Sequence, residues 1–427
     1  MKNPQTSTSE KNRFFDDDEL PDGWVLKSFM DVFDIEGGTQ PPKSTFVYEP
    51  QPNYVRLLQI RDFGERPYPT YISDEKKLKK CVETDILVGR YGASVGRICT
   101  GLKGAYNVAL TKVIIPNEVD RRFVFFLLQS NFFQEPILEI ERSAQNGFNK
   151  GDLESIYLPI PPLAEQQRIV ARVEVLLTNV NAAHDRLSRV PLIMKKFRQV
   201  VLAAACSGRL MDEPDGYESR SAGELFADAR YGTSNKCDYI KEQKIPVLRI
   251  PNIATGKLEL TDLKFGDLTD KEIQRLAVQE GDLIICRTNG SLDLVGKAAI
   301  IPNLSEQFVF ASYLIRVRVN QNILLPEYYH ICLTGQIGRD HIEEMARSTA
   351  GQFNLNLEIL RTMPIPLPPL AEQHEIVHRV GMLFERADAV EREVAAATKR
   401  TEALTQAVLG KAFRGELVPI RIAEGQV

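Results

Sequence analysis

No apolar run in this chain reaches the roughly 18–20 residues that a membrane-spanning helix needs, which excludes a helical membrane protein. The stretch from Met1 to Asp18 lacks an apolar core and closes on Asp16-Asp17-Asp18, so it is no signal peptide, and 1–17 is expected to be a frayed tail. Cysteine is sparse and scattered: Cys81, Cys99, Cys206, Cys237, Cys286 and Cys332 form no C-x-x-C pair. That predicts reduced thiols in a cytoplasmic protein and no zinc site. His374 and His378 share a helix face without a ligand partner nearby in sequence, and are expected on a solvated face. A positive balance is missing too, since 53 Lys and Arg against 57 Asp and Glu leave a net charge of −4. That argues against a stand-alone DNA binder, yet leaves room for local basic patches.

What the 427 residues do contain is a long internal repeat, in a chain long enough for two or three domains. Pro159-Ile-Pro-Pro-Leu-Ala-Glu-Gln166 returns as Pro366-Leu-Pro-Pro-Leu-Ala-Glu-Gln373. The match continues ungapped from Leu158/Ile365 to Leu210/Leu417, with 19 of 53 positions identical, far above chance for such a length. Each Pro-Pro pair marks a helix start. Beyond it apolar residues recur at alternating steps of four and three: Ile169, Val173, Leu176, Val180, Ala183, Leu187, Val190, Met194, Phe197 and Val201. The second copy runs through Ile376, Val380, Leu383, Ala387, Val390, Val394, Ala397, Thr401, Leu404 and Val408. These are heptad seams in one register, expected to pack on each other. Pro191, where the second copy has Thr398, predicts a kink or break. Gly208 and Gly415 are expected to close the helices.

Two more divergent regions precede the two copies and carry a weaker echo. Asp85-Ile-Leu-Val-Gly-Arg90 resembles Asp282-Leu-Ile-Ile-Cys-Arg287, and Gly147-Phe148-Asn149 resembles Gln352-Phe353-Asn354. Tyr54–Arg61 resembles Val247–Ile253 in the same way, a β-branched strand followed by polar residues. Short strands, Gly turns and a few helices predict α+β domains. The expected plan is a tail over 1–17, a domain over 18–157, a helical spacer over 158–210, a domain over 211–364, a spacer over 365–420 and a tail over 421–427. Antiparallel packing of the spacers would relate the halves by a pseudo-two-fold and hold two readers about one DNA turn or more apart.

With Leu20-Pro-Asp-Gly-Trp-Val25 and Gly38-Thr39 in the first half, the twin Pro-Pro-Leu-Ala-Glu-Gln motifs and Lys411-Ala-Phe-Arg-Gly-Glu-Leu417, the chain resembles the Type I restriction-modification specificity subunits from about Leu20 to Leu417. The resemblance implies two target recognition domains, each reading one part of a bipartite site in double-stranded DNA. It implies an antiparallel coiled coil as the ruler between them. It also implies two modification subunits that methylate adenine with S-adenosylmethionine, and two restriction subunits using ATP and Mg²⁺. No cofactor is expected in this chain, and no membrane.

Enzyme motifs are missing. A base methyltransferase needs a Gly-rich loop and Asn/Asp-Pro-Pro-Tyr/Phe, whereas Ile160-Pro-Pro-Leu163 has neither the polar residue nor the aromatic. Gly290 to Ala298 exceeds a phosphate-binding loop by one residue and ends in Ala where a hydroxyl should hold Mg²⁺. Asp238 with Glu242-Gln243-Lys244 is the one nuclease-like triplet, a pattern common in polar loops. The competing readings are an enzyme with drifted motifs, a protein-binding coiled-coil scaffold, and a repressor-like binder lacking a helix-turn-helix.

Base edges are read by Arg, Asn, Gln, Ser and Thr. The first-half candidates are Thr39, Gln40, Gln59, Arg61, Arg90, Tyr91 and Ser94. Those of the second half are Thr233, Ser234, Asn235, Arg249, Asn252, Arg287, Asn289 and Ser291, with Lys43, Lys257 and Lys297 for phosphate. Each competes with an ordinary loop role, and Lys76-Lys77-Leu-Lys79-Lys80 with a solvated face. For partner subunits the candidates are Leu163, Glu165, Gln166, Leu370, Glu372 and Gln373 at the helix starts, where packing and the helix dipole also favour these residues.

Overall fold

Proline sets the helix boundaries. Pro161 and Pro162 separate the strand Tyr157–Ile160 from the helix Leu163–Leu187, and Pro368 and Pro369 separate Pro364–Pro366 from Leu370–Phe413. Pro191 breaks the first copy: a new helix, Val190–Cys206, starts with proline in its first turn, where a missing N–H leaves no bond unmade. With Thr398 in that place, the second copy is one helix of 44 residues, about 66 Å long. Gly208 and Gly415 lie just past the helix ends with φ of 80° and 77°, as a terminating glycine should. This computed structural model describes residues 20–143, 147–211, 217–242, 244–345, 348–349 and 352–417, so the expected tails lie outside the described residues.

The chain divides into two compact units, Met1–Ser188 with Ala396–Val427, and Arg189–Ala395. This partition differs from the alternation of domain and spacer drawn from the sequence, because each unit takes one part of both spacers into its own packing. In the first unit, Val170, Val173 and Leu177 share a core with Leu409, Ala412 and Phe413, while Ala183 and Leu187 border Ala397 and Thr401. Early residues of one helix meet late residues of the other, so the packing is antiparallel. In the second unit Arg198 binds Asp388 and Glu391, and Arg379 donates to the Leu210 carbonyl at 2.8 Å, again antiparallel.

All ten seam positions of the first copy are buried or half-buried, whereas the off-seam Leu192, Ile193 and Val200 are exposed. The second copy departs from expectation at Val390 and Leu404, which are exposed. An α-helix drifts against a strict heptad, and this helix changes packing partner near Ala395.

The two units repeat one topology. In the first, Asp34–Gly37, Leu110–Ile114, Leu87–Gly89 and Ile98–Cys99 form one sheet; in the second, Phe226–Tyr231, Leu314–Val319, Leu283–Cys286 and Ala298–Ile300 follow the same order. A further sheet in each holds a parallel pair, Leu57 beside Ala105 and Leu58 beside Tyr106, or Val247 beside Val309 and Leu248 beside Phe310. Helix pairs follow, Arg121–Gln129 with Asn131–Ser143 and Pro326–Thr334 with Gln336–Met345. The expected α+β class is the one observed.

A feature shared by both units went unread in the sequence. Gly38-Thr39 has a counterpart in Gly232-Thr233. Thr39 N–H donates to the Tyr106 carbonyl at 3.0 Å, and Thr233 N–H to that of Phe310 at 2.8 Å. A Cβ on Gly38 or Gly232 would sit 2.1 Å from the backbone oxygen of Asn107 or Phe310, so only glycine allows the approach. Among the described residues, no helix is long and apolar enough to cross a membrane, and no three His, Cys, Asp or Glu side chains group to hold a metal ion.

Candidate nucleic-acid interface

Register fixes which residues of the two units correspond. Because Leu58 and Leu248 hold the same place in the parallel pairs, Gln59 corresponds to Arg249, and Asp62 to Asn252. The backbone N–H of Gln59 donates to Asp62 Oδ2 at 2.8 Å, and that of Arg249 to Asn252 Oδ1 at 2.9 Å. Asn252 is therefore a framework residue. It is 1% exposed and also donates to the carbonyls of Glu259 and Thr261, which leaves it nothing to offer a base and corrects the sequence-based expectation.

Several other candidates are engaged in holding the loops. Arg90 Nε donates to the Phe148 carbonyl at 2.9 Å, and its counterpart Arg287 donates to Asn354 Oδ1 at 3.2 Å. Each ties a strand end to the Phe-Asn segment whose echo was visible in the sequence. Ser94 Oγ donates to the Tyr91 carbonyl, and Asn289 Oδ1 accepts from Ser291 N–H, which are local turn bonds. Thr233 is buried and accepts from Asn235 N–H, while Asn235 Nδ2 donates to the Asp267 carbonyl. Lys297 is half-buried and donates to the Ala254 carbonyl at 3.1 Å, so its ammonium closes a loop instead of lying free for phosphate.

Gln40, Lys43, Arg61, Tyr91, Ser234, Asn235, Lys257 and Ser291 are exposed. Gln59 and Arg61 come together on one hydroxyl, Thr70 Oγ1, at 3.3 and 3.0 Å. Thr39 and Gln40 border a shallow depression with Thr45, Ile72 and Leu78. In the lysine run, Lys77 pairs with Glu75, Lys79 with Glu36 and Lys80 with Asp74, which neutralises most of it as a phosphate patch. The triplet at Asp238 closes on itself through Lys244 at 2.6 Å.

Sequence reasoning missed the aromatics. Tyr48 and Tyr68 meet at 5.3 Å between ring centres, tilted by 47°, with the Arg61 guanidinium 5.3 Å from the Tyr68 ring. In the second unit Lys264 Nζ lies 4.8 Å from the Tyr239 ring, and Arg249 binds Asp262 at 2.7 Å. The available signal was tyrosine among prolines, in Tyr48-Glu-Pro and Pro67-Tyr68-Pro69, where no alternation places a ring in a core.

The twin glutamines turn inward. Gln166 Oε1 accepts from the N–H of Asp120, the residue capping helix Arg121–Gln129, and its Nε2 donates to the Pro161 carbonyl, both at 2.8 Å. Gln373 repeats the clamp on Leu325 N–H and the Pro368 carbonyl, and adds the Ile323 carbonyl at 2.9 Å. Both are buried with their amides engaged inside their own units, so the expectation that they seat a partner is corrected. Glu165 pairs with Arg168 at 2.7 Å and Glu372 is half-buried. Leu163 is exposed and Leu370 half-buried.

The family described as the Type I restriction modification DNA specificity domain matches this sequence twice, over residues 21–190 and 214–396. The EcoKI specificity subunit of Escherichia coli (strain K12) is 28% identical over 424 residues, covering 93% of this chain and 90% of the relative. The StySPI specificity subunit of Salmonella potsdam is 28% identical over 423 residues, with the same shares covered. Among solved structures, a chain from work on complex assembly and conformational transition of the type I R-M system superposes with a TM-score of 0.72 at 21% identity, covering 93% of this chain and 99% of that one. The HsdS subunit from Thermoanaerobacter tengcongensis gives 0.54 at 21% identity, covering 93% and 98%. At such identities the structural likenesses concern the fold.

Proposed function

This chain belongs to the Type I restriction modification DNA specificity family, with two copies of its domain, and on that premise we propose how it divides the work of recognition. It is a DNA specificity subunit of a restriction-modification system. Each unit reads one half of a bipartite, asymmetric site in double-stranded DNA, and the paired spacer helices set the gap. The observation that carries this reading is the repetition of one sheet topology with different side chains at corresponding loop positions, Gln59 against Arg249 and Tyr68 against Asp262. A duplicated framework with divergent loops suits two different half-sites.

In this reading the subunit carries no catalytic residue. It recruits two modification subunits, which bring S-adenosylmethionine and methylate adenine N6, and two restriction subunits, which bring ATP and Mg²⁺, all in the cytoplasm. The exposed Leu163 at a helix start remains open to such a partner.

The test is a map of adenine methylation across the host genome with and without the gene. A split, asymmetric motif is expected to be methylated when the gene is present and unmethylated when it is deleted. An unchanged map, with the modification subunit expressed, would remove the reading in favour of a protein-binding scaffold. The ruler has its own test. One heptad inserted in Leu163–Leu187, matched by one in the stretch of the long helix packed against it, should lengthen the gap by about three base pairs, from seven rises of 1.5 Å against 3.4 Å per base pair. Both half-sites should stay the same; altered bases with an unaltered gap would show that the helices are no ruler.

A further inference from the structure

Three tyrosines in these loops lie largely outside the core. Tyr48 is 57% exposed, Tyr68 55% and Tyr239 63%, although a buried tyrosine contributes far more to stability than an exposed one. They are nevertheless held in place. Tyr68 contacts both the Tyr48 ring and the Arg61 guanidinium, and Thr70 Oγ1 accepts from that same guanidinium. Tyr239 lies under Lys264, beside the Arg249–Asp262 pair.

The two clusters occupy one corner of the shared framework. Tyr48 and Tyr239 lie in the loop that leaves each Gly-Thr crossing. Thr70 and Lys264 correspond, since Thr70 O accepts from Leu57 N–H where Lys264 is paired with Val247. Two positions earlier stand Tyr68 and Asp262. The same corner thus pairs an exposed ring with a cation in both units, while its other side chains differ.

We propose that this corner is the base-reading element of each half: Tyr48, Arg61 and Tyr68 read the first half-site, and Tyr239 and Lys264, braced by the Arg249–Asp262 pair, the second. The proposal rests on the two-reader function above and deepens it. A cation fixed against a ring approaches DNA with little entropy left to lose. The guanidinium is matched to guanine O6 and N7, the neighbouring Gln59 amide to adenine N6 and N7, and the apolar ring faces to a thymine methyl. The mixture of aromatic, cation and amide favours base edges over phosphate alone, which would need only charge.

The experiment uses the complete subunit assembled with its modification subunits, and DNA libraries randomised in one half-site at a time. Tyr48→Ala with Tyr68→Ala is expected to weaken discrimination in the first half-site by tenfold or more and leave the second as it was. Tyr239→Ala should do the reverse. Melting temperatures should match the parent, because these rings are exposed, and Tyr68→Phe, which keeps the ring, should discriminate like the parent. Unchanged discrimination in both half-sites would overturn the proposal. So would an equal loss in both, which would mark the corner as a surface for a protein partner. A parent complex without any split-site preference would instead overturn the two-reader function beneath it.

Discussion

Gln373→Leu is expected to destabilise the second unit by roughly 3–5 kcal/mol, the sum of leaving several buried backbone groups unpaired at about 1–3 kcal/mol each. The lost partners are Leu325 N–H and the carbonyls of Pro368 and Ile323, none of which a leucine can satisfy. In a unit of this size that amounts to a fall on the order of 10 °C in melting temperature. Gln166→Leu should cost less, because Gln166 makes two such bonds, to Asp120 N–H and the Pro161 carbonyl. Calorimetry on the purified subunit and its variants decides the matter. A Gln373→Leu chain that melts within a degree of the parent would show that the clamp is redundant with the surrounding packing. A decrease in partner binding with unchanged melting would return these glutamines to the partner seat that the sequence suggested.

The second large effect concerns the acid that opens each Asp-strand-Arg echo. Asp282 is fully buried, accepts from Arg318 Nε at 2.7 Å and Nη2 at 2.8 Å, and caps Gln279 N–H at 2.8 Å. Arg316, also buried, lies 3.9 Å away and binds Asp228 on its other side at 2.5 Å. Asp282→Ala removes one carboxylate from a buried network of two arginines, and breaking such a pair typically costs about 3–5 kcal/mol through the charge left behind. The counterpart Asp85 is half-buried, accepts from Val82 N–H at 3.0 Å and meets the more exposed Arg121 at 3.1 Å and Lys112 at 3.7 Å, so Asp85→Ala should cost less, about 1–2 kcal/mol. Denaturant unfolding of the two variants checks the ordering. Equal losses would mean that solvent reaches Asp282 more readily than its burial implies.

These two cases also show where sequence reading succeeds and where it stops. The Asp85/Asp282 and Gln166/Gln373 correspondences could be read directly, because duplication leaves identity at positions where the backbone demands it. Burial could not be read. Asp282 is fully buried beneath Arg316 and Arg318, while Asp85 is half-buried beside a lysine and an arginine, and nothing local to either acid distinguishes them. The glutamines carry the same lesson. A polar residue in a repeated motif suggested an external partner, and the partner proved to be the backbone of the same unit.

By itself the sequence determined the duplication, the helix starts at the Pro-Pro pairs, the break at Pro191, the apolar seams and the α+β class of the halves. All of these follow from local stereochemistry and from the spacing of apolar residues along one chain. The tertiary structure alone decided which polar loop residues remain outside. Asn252, Thr233 and Lys297 turn inward to hold turns, while Tyr68 and Tyr239 turn outward beside the cations of Arg61 and Lys264, and Tyr48 turns outward against the Tyr68 ring. Hydrogen-bonding capacity is the same for a framework asparagine and a reading one. What separates them is whether the fold brings unpaired backbone groups within about 3 Å, and those groups come from distant parts of the chain.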